Sequence, residues 1–553
     1  MIREAIERAV QEALAELGAS EATFVVERPG DMSHGDYATN AALLAAKALK
    51  KNPKELAEAL AQKLEGKIDG VKKVEIAGPG FINFTLAGMK VKDIVHEAHE
   101  PEWGSNDLYK GKKIMVEYTD PNPFKEFHIG HLMSNAIGES IARMLERSGA
   151  QVIRANYQGD VGLHVAKAIW ALQKKGGVAG NYVSSIGAAY VEGNTAYEEN
   201  AEAKKEINEI NKKIYERSDQ QINTLYDAGR KISLEYFDEV YKILGTTFQK
   251  FFFESETTPI GTELVTNHPE VFEESDGARV FRGEQEGLHT RVFLTSQGLP
   301  TYEAKDLGLL KLKSAEDLNV SVTVTASEQK DYFKVVLAAA RHLGEVKDVA
   351  AKTTHVTHGM MRFASGKMSS RKGNVITGMS LLNELTEDSK GKMQGRELKD
   401  GDKVAQQVAV AAIKYTVLKQ GSGKDIVFDP VQSLSLEGDS GPYVQYALVR
   451  IRALLRNAAS AKVIDPTPSG PTPIERLIVH FPEVVERAAR ELEPHYVTTY
   501  VTELAGAFNS WYASERMIVD GAITTRNLAV IEAIENTLAR GLTVLGIPTP
   551  EEM

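Results

Sequence analysis

Cysteine is absent from the 553 residues. That excludes disulfides and thiolate-held zinc, so no zinc is expected and a reducing, cytoplasmic setting is the default. Long apolar runs are absent too. With 42% hydrophobic and 25% charged residues the mixture is ordinary for a globular protein, and no stretch could span a bilayer. Nor is there an excess of positive charge. A formal net charge of −11 weighs against a general nucleic-acid coat, but leaves room for a large acidic enzyme with a local basic groove. The opening Met1-Ile2-Arg3-Glu4-Ala5-Ile6-Glu7-Arg8 has acidic residues at helical spacing, so neither a signal nor a transit peptide is expected. What the chain has is length, enough for three or four domains.

Residues 1–98 read as a small α+β domain. Ile2, Ile6, Val10, Ala13, Leu14 and Leu17 recur at helical spacing, and a strand is expected over Ala22-Thr23-Phe24-Val25-Val26. Helices are expected over about 37–50 and 53–65, then two strands around the Gly78-Pro79-Gly80 turn. Between 110 and 385 strands alternate with helices, which predicts an α/β, Rossmann-like, doubly wound parallel sheet. Its expected strands are Lys113–Tyr118, Val152–Asn156, Arg291–Leu294, Val320–Thr325 and Thr354–Thr357, with a helix over Leu132–Arg147. The stretch from about 171 to 285 interrupts this rhythm and reads as an insertion, its charged middle, 201–214, forming solvated helices. Residues 386–438 read as a connecting helical region and 439–553 as an all-α bundle. The chain is thus expected to be multidomain.

Two short polar segments carry most of the chemistry. Phe127-His128-Ile129-Gly130-His131 sets two imidazoles three residues apart at a strand-to-helix junction, where helix N–H groups favour anions. Taken alone it fits a metal pair or plain surface histidines equally well. The second segment is Gly366-Lys367-Met368-Ser369-Ser370-Arg371-Lys372-Gly373. It fails as a Walker loop, because Met361 and Met368 stand where glycine and a hydroxyl residue are required. Its three cations and two hydroxyls suit a polyphosphate whose charge rearranges, and in isolation suit an ordinary solvated basic loop.

In this order, around an interrupted α/β sheet, the two segments resemble the HIGH and KMSKS signatures of class I aminoacyl-tRNA synthetases. The surroundings are similar to the arginyl-tRNA synthetase family. Val116-Glu117-Tyr118-Thr119-Asp120-Pro121-Asn122-Pro123 resembles its lead-in to the histidines, and Asn156-Tyr157-Gln158-Gly159-Asp160-Val161-Gly162 its strand-turn. Gly35–Asn40 and Gly78–Phe84 resemble its N-terminal domain; Tyr443–Ala447 and Leu545–Pro548 resemble its helical anticodon-binding domain.

The resemblance implies a role for each segment. ATP would be gripped by His128, Gly130, His131, Lys367, Met368, Ser369 and Ser370, with His128, His131, Lys367, Arg371 and Lys372 acting on the phosphates. The guanidinium would be held by Glu117, Tyr302 and Asp306, the α-amino end by Asn122 and Gln329, and the carboxylate would lie near His128. Without the resemblance, Tyr302 and Asp306 read first as an exposed helix face. A fixed planar cation with five donors does require carboxylates in its site. The implied partners are L-arginine, ATP with Mg²⁺, and tRNA(Arg), whose core would meet the N-terminal domain; no dedicated metal ligands and a monomer are expected. Two departures stand out: Asp120 where serine is frequent in the family, and Arg371 in register with Lys372 beside it. The competing readings are a class I synthetase for glutamate or lysine, a small-molecule nucleotidyltransferase with the same histidine signature, and a tRNA-binding protein without catalysis. Glu117 and Asp306 oppose a glutamate pocket, and the terminal domains are superfluous for a small-molecule enzyme.

Overall fold

A computed structural model describes residues 2–177, 183–364, 377–395, 397–466 and 469–553. The chain falls into two compact units, each taking in segments of the C-terminal helices. One comprises Met1–Gly104, Arg450–Val484 and Glu503–Ala539. Its four-stranded antiparallel sheet is built from Val26–Glu27, Tyr37–Thr39, Phe81–Leu86 and Val71–Ala77, in that spatial order. Two local expectations change here. The strand placed at 22–26 is the pair Val26–Glu27, and the helix placed from 37 begins at Ala41 because Tyr37–Thr39 pairs with Phe84–Ile82. Asp36 is fully buried. It accepts the Leu86 N–H at 2.7 Å and pairs with Arg476, while the Tyr37 hydroxyl donates to Glu483 at 2.7 Å. These bonds bring C-terminal residues into the same compact unit as the N-terminal sheet.

The other unit, Ser105–Val449, Val485–Thr502 and Arg540–Met553, holds a five-stranded parallel sheet. The spatial order is Thr353–His358, Val320–Ala326, Lys113–Glu117, Gln151–Gln158, Lys250–Phe253. The chain starts in the middle and winds outward both ways, so the order reverses between Lys113–Glu117 and Val320–Ala326. Lys250–Phe253 pairs with Ala155–Gln158, so the tract 171–285 is not all insertion: the chain rejoins the sheet at its edge before leaving again. Arg291–Leu294 is no member of this sheet. It pairs antiparallel with Ala278–Phe281, which pairs with Glu273–Ser275, in a separate three-stranded sheet.

The excursion between Gln158 and Lys250 includes the helices Val183–Glu199, Ala201–Glu216 and Gln220–Leu244. The charged middle helix is not solvated all round. Ala203, Ile207, Ile210 and Ile214 form a buried stripe that packs with Val165, Ile169 and Trp170. The C-terminal part is helical as expected, with one short parallel pair, Lys462–Ile464 with Ala522–Thr524. Among the described residues no helix is long and apolar enough to cross a membrane.

Candidate active site

A cavity of about 440 Å³ opens at the carboxyl ends of Lys113–Glu117 and Val320–Ala326, where the strand order reverses. The helix Ile129–Arg147 is fastened to both strand ends by one side chain: Ser134 Oγ accepts the Thr119 N–H at 2.9 Å and donates to the Val324 carbonyl at 3.0 Å. Its first turn therefore stands at the cavity mouth. His128, Gly130 and His131 line the cavity with Glu117, Asn122, Tyr302, Asp306 and Gln329, so eight residues singled out in the sequence meet in one place. Lys367, Met368, Ser369, Ser370, Arg371 and Lys372 lie outside the described residues.

The two imidazoles stack, with ring centroids 3.5 Å apart and planes 23° from parallel. The His128 backbone N–H donates to Nδ1 of His131 at 3.2 Å. An Nδ1 that accepts leaves the proton on Nε2, so this bond sets the tautomer of His131. The surrounding protein, then Lys125 and His358, pushes His128 down to about 4. His131 lies well below the ordinary imidazole range, first through burial and then through His128. Both rings are neutral at pH 7 and act as dipolar donors. Gly130 keeps the stack open, since a Cβ there would stand 3.0 Å from the His128 ring.

The residues that follow 376 pack on the same turn. Thr377 forms an antiparallel bridge with His128, and the Gly378 N–H donates to the Phe127 carbonyl at 2.6 Å. A side chain at Gly378 would strike Phe127 and Leu132, 2.9 and 3.1 Å from its Cβ. On the other flank Ala364 donates to the Phe428 carbonyl at 3.1 Å. The residues on both sides of 365–376 are thus held, one side on the histidine turn itself.

The cavity wall is acidic. Glu117, Asp120, Glu254 and Asp306 all line it. Glu117 is 3% exposed, and its Oε2 lies 2.9 Å from Lys313 Nζ, so the charge expected to meet a guanidinium already has a buried partner. Glu254 is matched by Lys305 at 2.6 Å. Asp306 accepts the Tyr332 hydroxyl at 2.6 Å; burial pushes its carboxyl up to about 7, against the lowering influence of that hydroxyl. Tyr302, one helical turn before Asp306, is 64% exposed and forms the rim. Asn122 turns its Oδ1 to the Gly159 N–H at 3.1 Å. Asp160 acts behind the wall: it accepts from the Ser255 N–H and hydroxyl, the Tyr226 hydroxyl and Arg230 Nε, tying three segments together.

Sequence reasoning missed Lys313, Glu254, Tyr157, Tyr332 and His358, all of which touch the site or its lining carboxylates. His358 is 4% exposed and ends Thr353–His358, an edge strand of the parallel sheet. Its position in His358-Gly359 at a strand's carboxyl end is the signal that could have found it.

A parallel sheet whose strand order reverses beside a histidine turn is the arrangement of a class I tRNA synthetase. The family model described as tRNA synthetases class I (R), catalytic domain, matches residues 95–430. The chain belongs to the arginyl-tRNA synthetase family: the Arginyl tRNA synthetase N terminal domain matches 1–86 and the DALR anticodon binding domain 444–553. It is similar to the arginine–tRNA ligase of Lactobacillus delbrueckii subsp. bulgaricus, 30% identical with 100% of each chain covered. That of Lactococcus lactis subsp. cremoris is 31% identical with 97% of each covered. The fold superposes on Thermus thermophilus arginyl-tRNA synthetase with a TM-score of 0.82, at 26% identity over 100% of both chains. The chain is an aminoacyl-tRNA ligase.

Proposed function

We propose that the chain activates L-arginine with ATP and transfers it to the 3′ end of tRNA(Arg), using the cavity at the switch point. The observation that carries the choice of amino acid is the charge of that cavity. Four carboxylates line it, and among the described residues two lysines, Lys305 and Lys313, meet two of them. The surplus of carboxyl groups suits an amino acid that brings both a guanidinium and an ammonium group, cations that draw such groups into their ionised form.

In the first step the arginine carboxylate attacks the α-phosphorus of ATP; an O–P bond forms and pyrophosphate leaves. In the second a ribose hydroxyl of the tRNA attacks the activated carbonyl, losing its proton as AMP departs. The contribution of the residues is positioning and stabilisation of charge on phosphate oxygens. His131 offers its Nε2–H and the amino end of Ile129–Arg147 its free N–H groups. Lys367, with Arg371 and Lys372, closes over the departing pyrophosphate. Asp306 and Tyr302 take the guanidinium, while Asn122 and Gln329 face the α-amino end. The nucleotide end is lined by neutral imidazoles and Gly130, with the carboxylates at the other end, so magnesium is treated as part of the nucleotide substrate. The N-terminal domain, 1–98, meets the tRNA core and 439–553 reads its anticodon, in a cytoplasmic monomer.

Pyrophosphate exchange with each amino acid, with and without tRNA, tests this reading. Exchange specific to arginine is expected; robust exchange with lysine or glutamate and none with arginine would overturn it.

A further inference from the structure

A second cavity, of about 350 Å³, lies within the same compact unit as the parallel sheet and shares no lining residue with the first. It opens where the ends of Ile129–Arg147 and Gln220–Leu244 meet the start of Gly401–Leu418, with the segment after Val544 as the fourth wall. Helices that end at a cavity present unpaired carbonyls, which would favour a cation. Here those carbonyls are already taken. Arg143 donates to the Thr543 carbonyl at 3.0 Å and to the Gly245 carbonyl at 2.9 Å, while its Nε donates to Glu139 at 2.6 Å. Lys414, which is buried, donates to the Leu244 carbonyl at 2.6 Å and to the Gly546 carbonyl at 2.8 Å.

Positive charge is in excess behind this wall. Three basic groups, Arg143, Arg154 and Lys414, stand against two carboxylates, Glu139 and Glu146. Burial pushes Lys414 down to about 7, with Glu139 raising it and Arg143 lowering it further. The cavity side is basic as well. Lys242 and Lys403 line it with Arg143; among the described residues neither lysine is in an ion pair, and no carboxylate joins the lining. Gln406 and Gln407 add amides, and Val410 and Ile547 add apolar surface. Such a lining suits an organic anion, with fixed charges for phosphate oxygens and amides and apolar groups for the body of the molecule. The volume is that of a small-ligand site.

We propose that this cavity is a second phosphate-binding site, which takes a phosphate monoester of mononucleotide size on Lys242 and Lys403. It differs in kind from the cavity at the switch point, where neutral imidazoles and Gly130 meet the nucleotide. Full charges match the dianion of a monoester. AMP, which leaves in the second step of the proposed reaction, has this chemistry. The phosphodiester backbone of RNA presents the same oxyanions and is the competing source.

Calorimetric titration of AMP into the full-length protein tests the site, with the first cavity filled by the sulfamoyl analogue of arginyl-adenylate, which carries no phosphate. One AMP per chain should bind. Lys242→Ala/Lys403→Ala should weaken AMP by roughly tenfold or more, and Lys242→Arg/Lys403→Arg should hold it within about threefold. Both lysines are exposed, so the fold is retained, which a thermal melt verifies. Filter binding of tRNA to the wild-type protein and the alanine variant separates the two sources, and unchanged tRNA affinity is expected. No AMP bound by the wild-type protein, equal AMP affinity in the alanine variant, or a loss of tRNA affinity as large as that of AMP would overturn the proposal. Failure of the analogue itself to bind would count against the arginine reading alone, since the comparison of variants does not require it.

Discussion

Burial holds the Asp306 carboxyl up to about 7, and this fixes how the site responds to pH. A guanidinium selects the ionised form, so kcat/KM for arginine should rise between pH 6 and 8 and level off above. Asp306→Asn should abolish that rise and increase the arginine KM by roughly a hundredfold, with the ATP KM within about threefold. An equal effect on both substrates would argue against a guanidinium contact. Stability runs the other way. The folded-state value lies above the ordinary 3.8, so the folded protein loses stability as pH climbs from 3.8 to about 7. The same substitution should therefore raise the melting temperature more at pH 8 than at pH 5. At the other end of the cavity the imidazoles are held neutral, so kcat at saturating substrates should not fall as histidines deprotonate between pH 6 and 8. The proposed contacts with developing phosphate charge require that His131→Ala and Lys367→Ala each lower kcat by about 10²-fold or more. Near-normal rates in steady-state assays of both would place the chemistry elsewhere.

At the scale of elements, Thr377–Gly378 lies against the histidine turn, which on the proposed reading brings the segment carrying Lys367 to the same site. Gly378→Leu would drive a side chain into Phe127 and Leu132. It should reduce kcat at least about tenfold through misplacement of the loop, while arginine binding measured by calorimetry is unchanged. Asp160→Ala would strand Arg230 and three further donors. It should destabilise the protein by about 3 kcal/mol or more in denaturant titration. The sheet's inner strands were legible because Lys113–Glu117, Gln151–Gln158 and Val320–Ala326 are followed by helices at the spacing of α/β units. Lys250–Phe253 was hidden because it is a four-residue edge strand after the long helix Gln220–Leu244, with no alternation to mark it. Arg291–Leu294 was legible as a strand, but periodicity does not name a partner, and a local antiparallel neighbour won. The histidines were legible from motif spacing and Glu117 and Asp306 through the family resemblance, whereas Glu254 carried no signal of its own. The pairing of Glu117 with Lys313 was not legible, because it joins a strand to a helix far along the chain and leaves no local pattern.

For the molecule as a whole, a net charge of −11 on a ligase that handles tRNA requires its cations to be concentrated where the polyanion lies. The KM for tRNA should therefore rise severalfold between about 50 and 200 mM salt while the KM for arginine, set inside a shielded cavity, changes little. Parallel salt dependence of the two would mean the amino-acid site is not shielded. The central claim is that an acidic cavity beside a histidine turn commits the enzyme to arginine. Its most direct test is the charging of unfractionated tRNA with each amino acid in the presence of ATP and magnesium, followed by identification of the charged tRNAs. The account predicts arginine alone, on tRNAs bearing arginine anticodons. Charging with lysine or glutamate, or arginine appearing on other tRNAs, would contradict it.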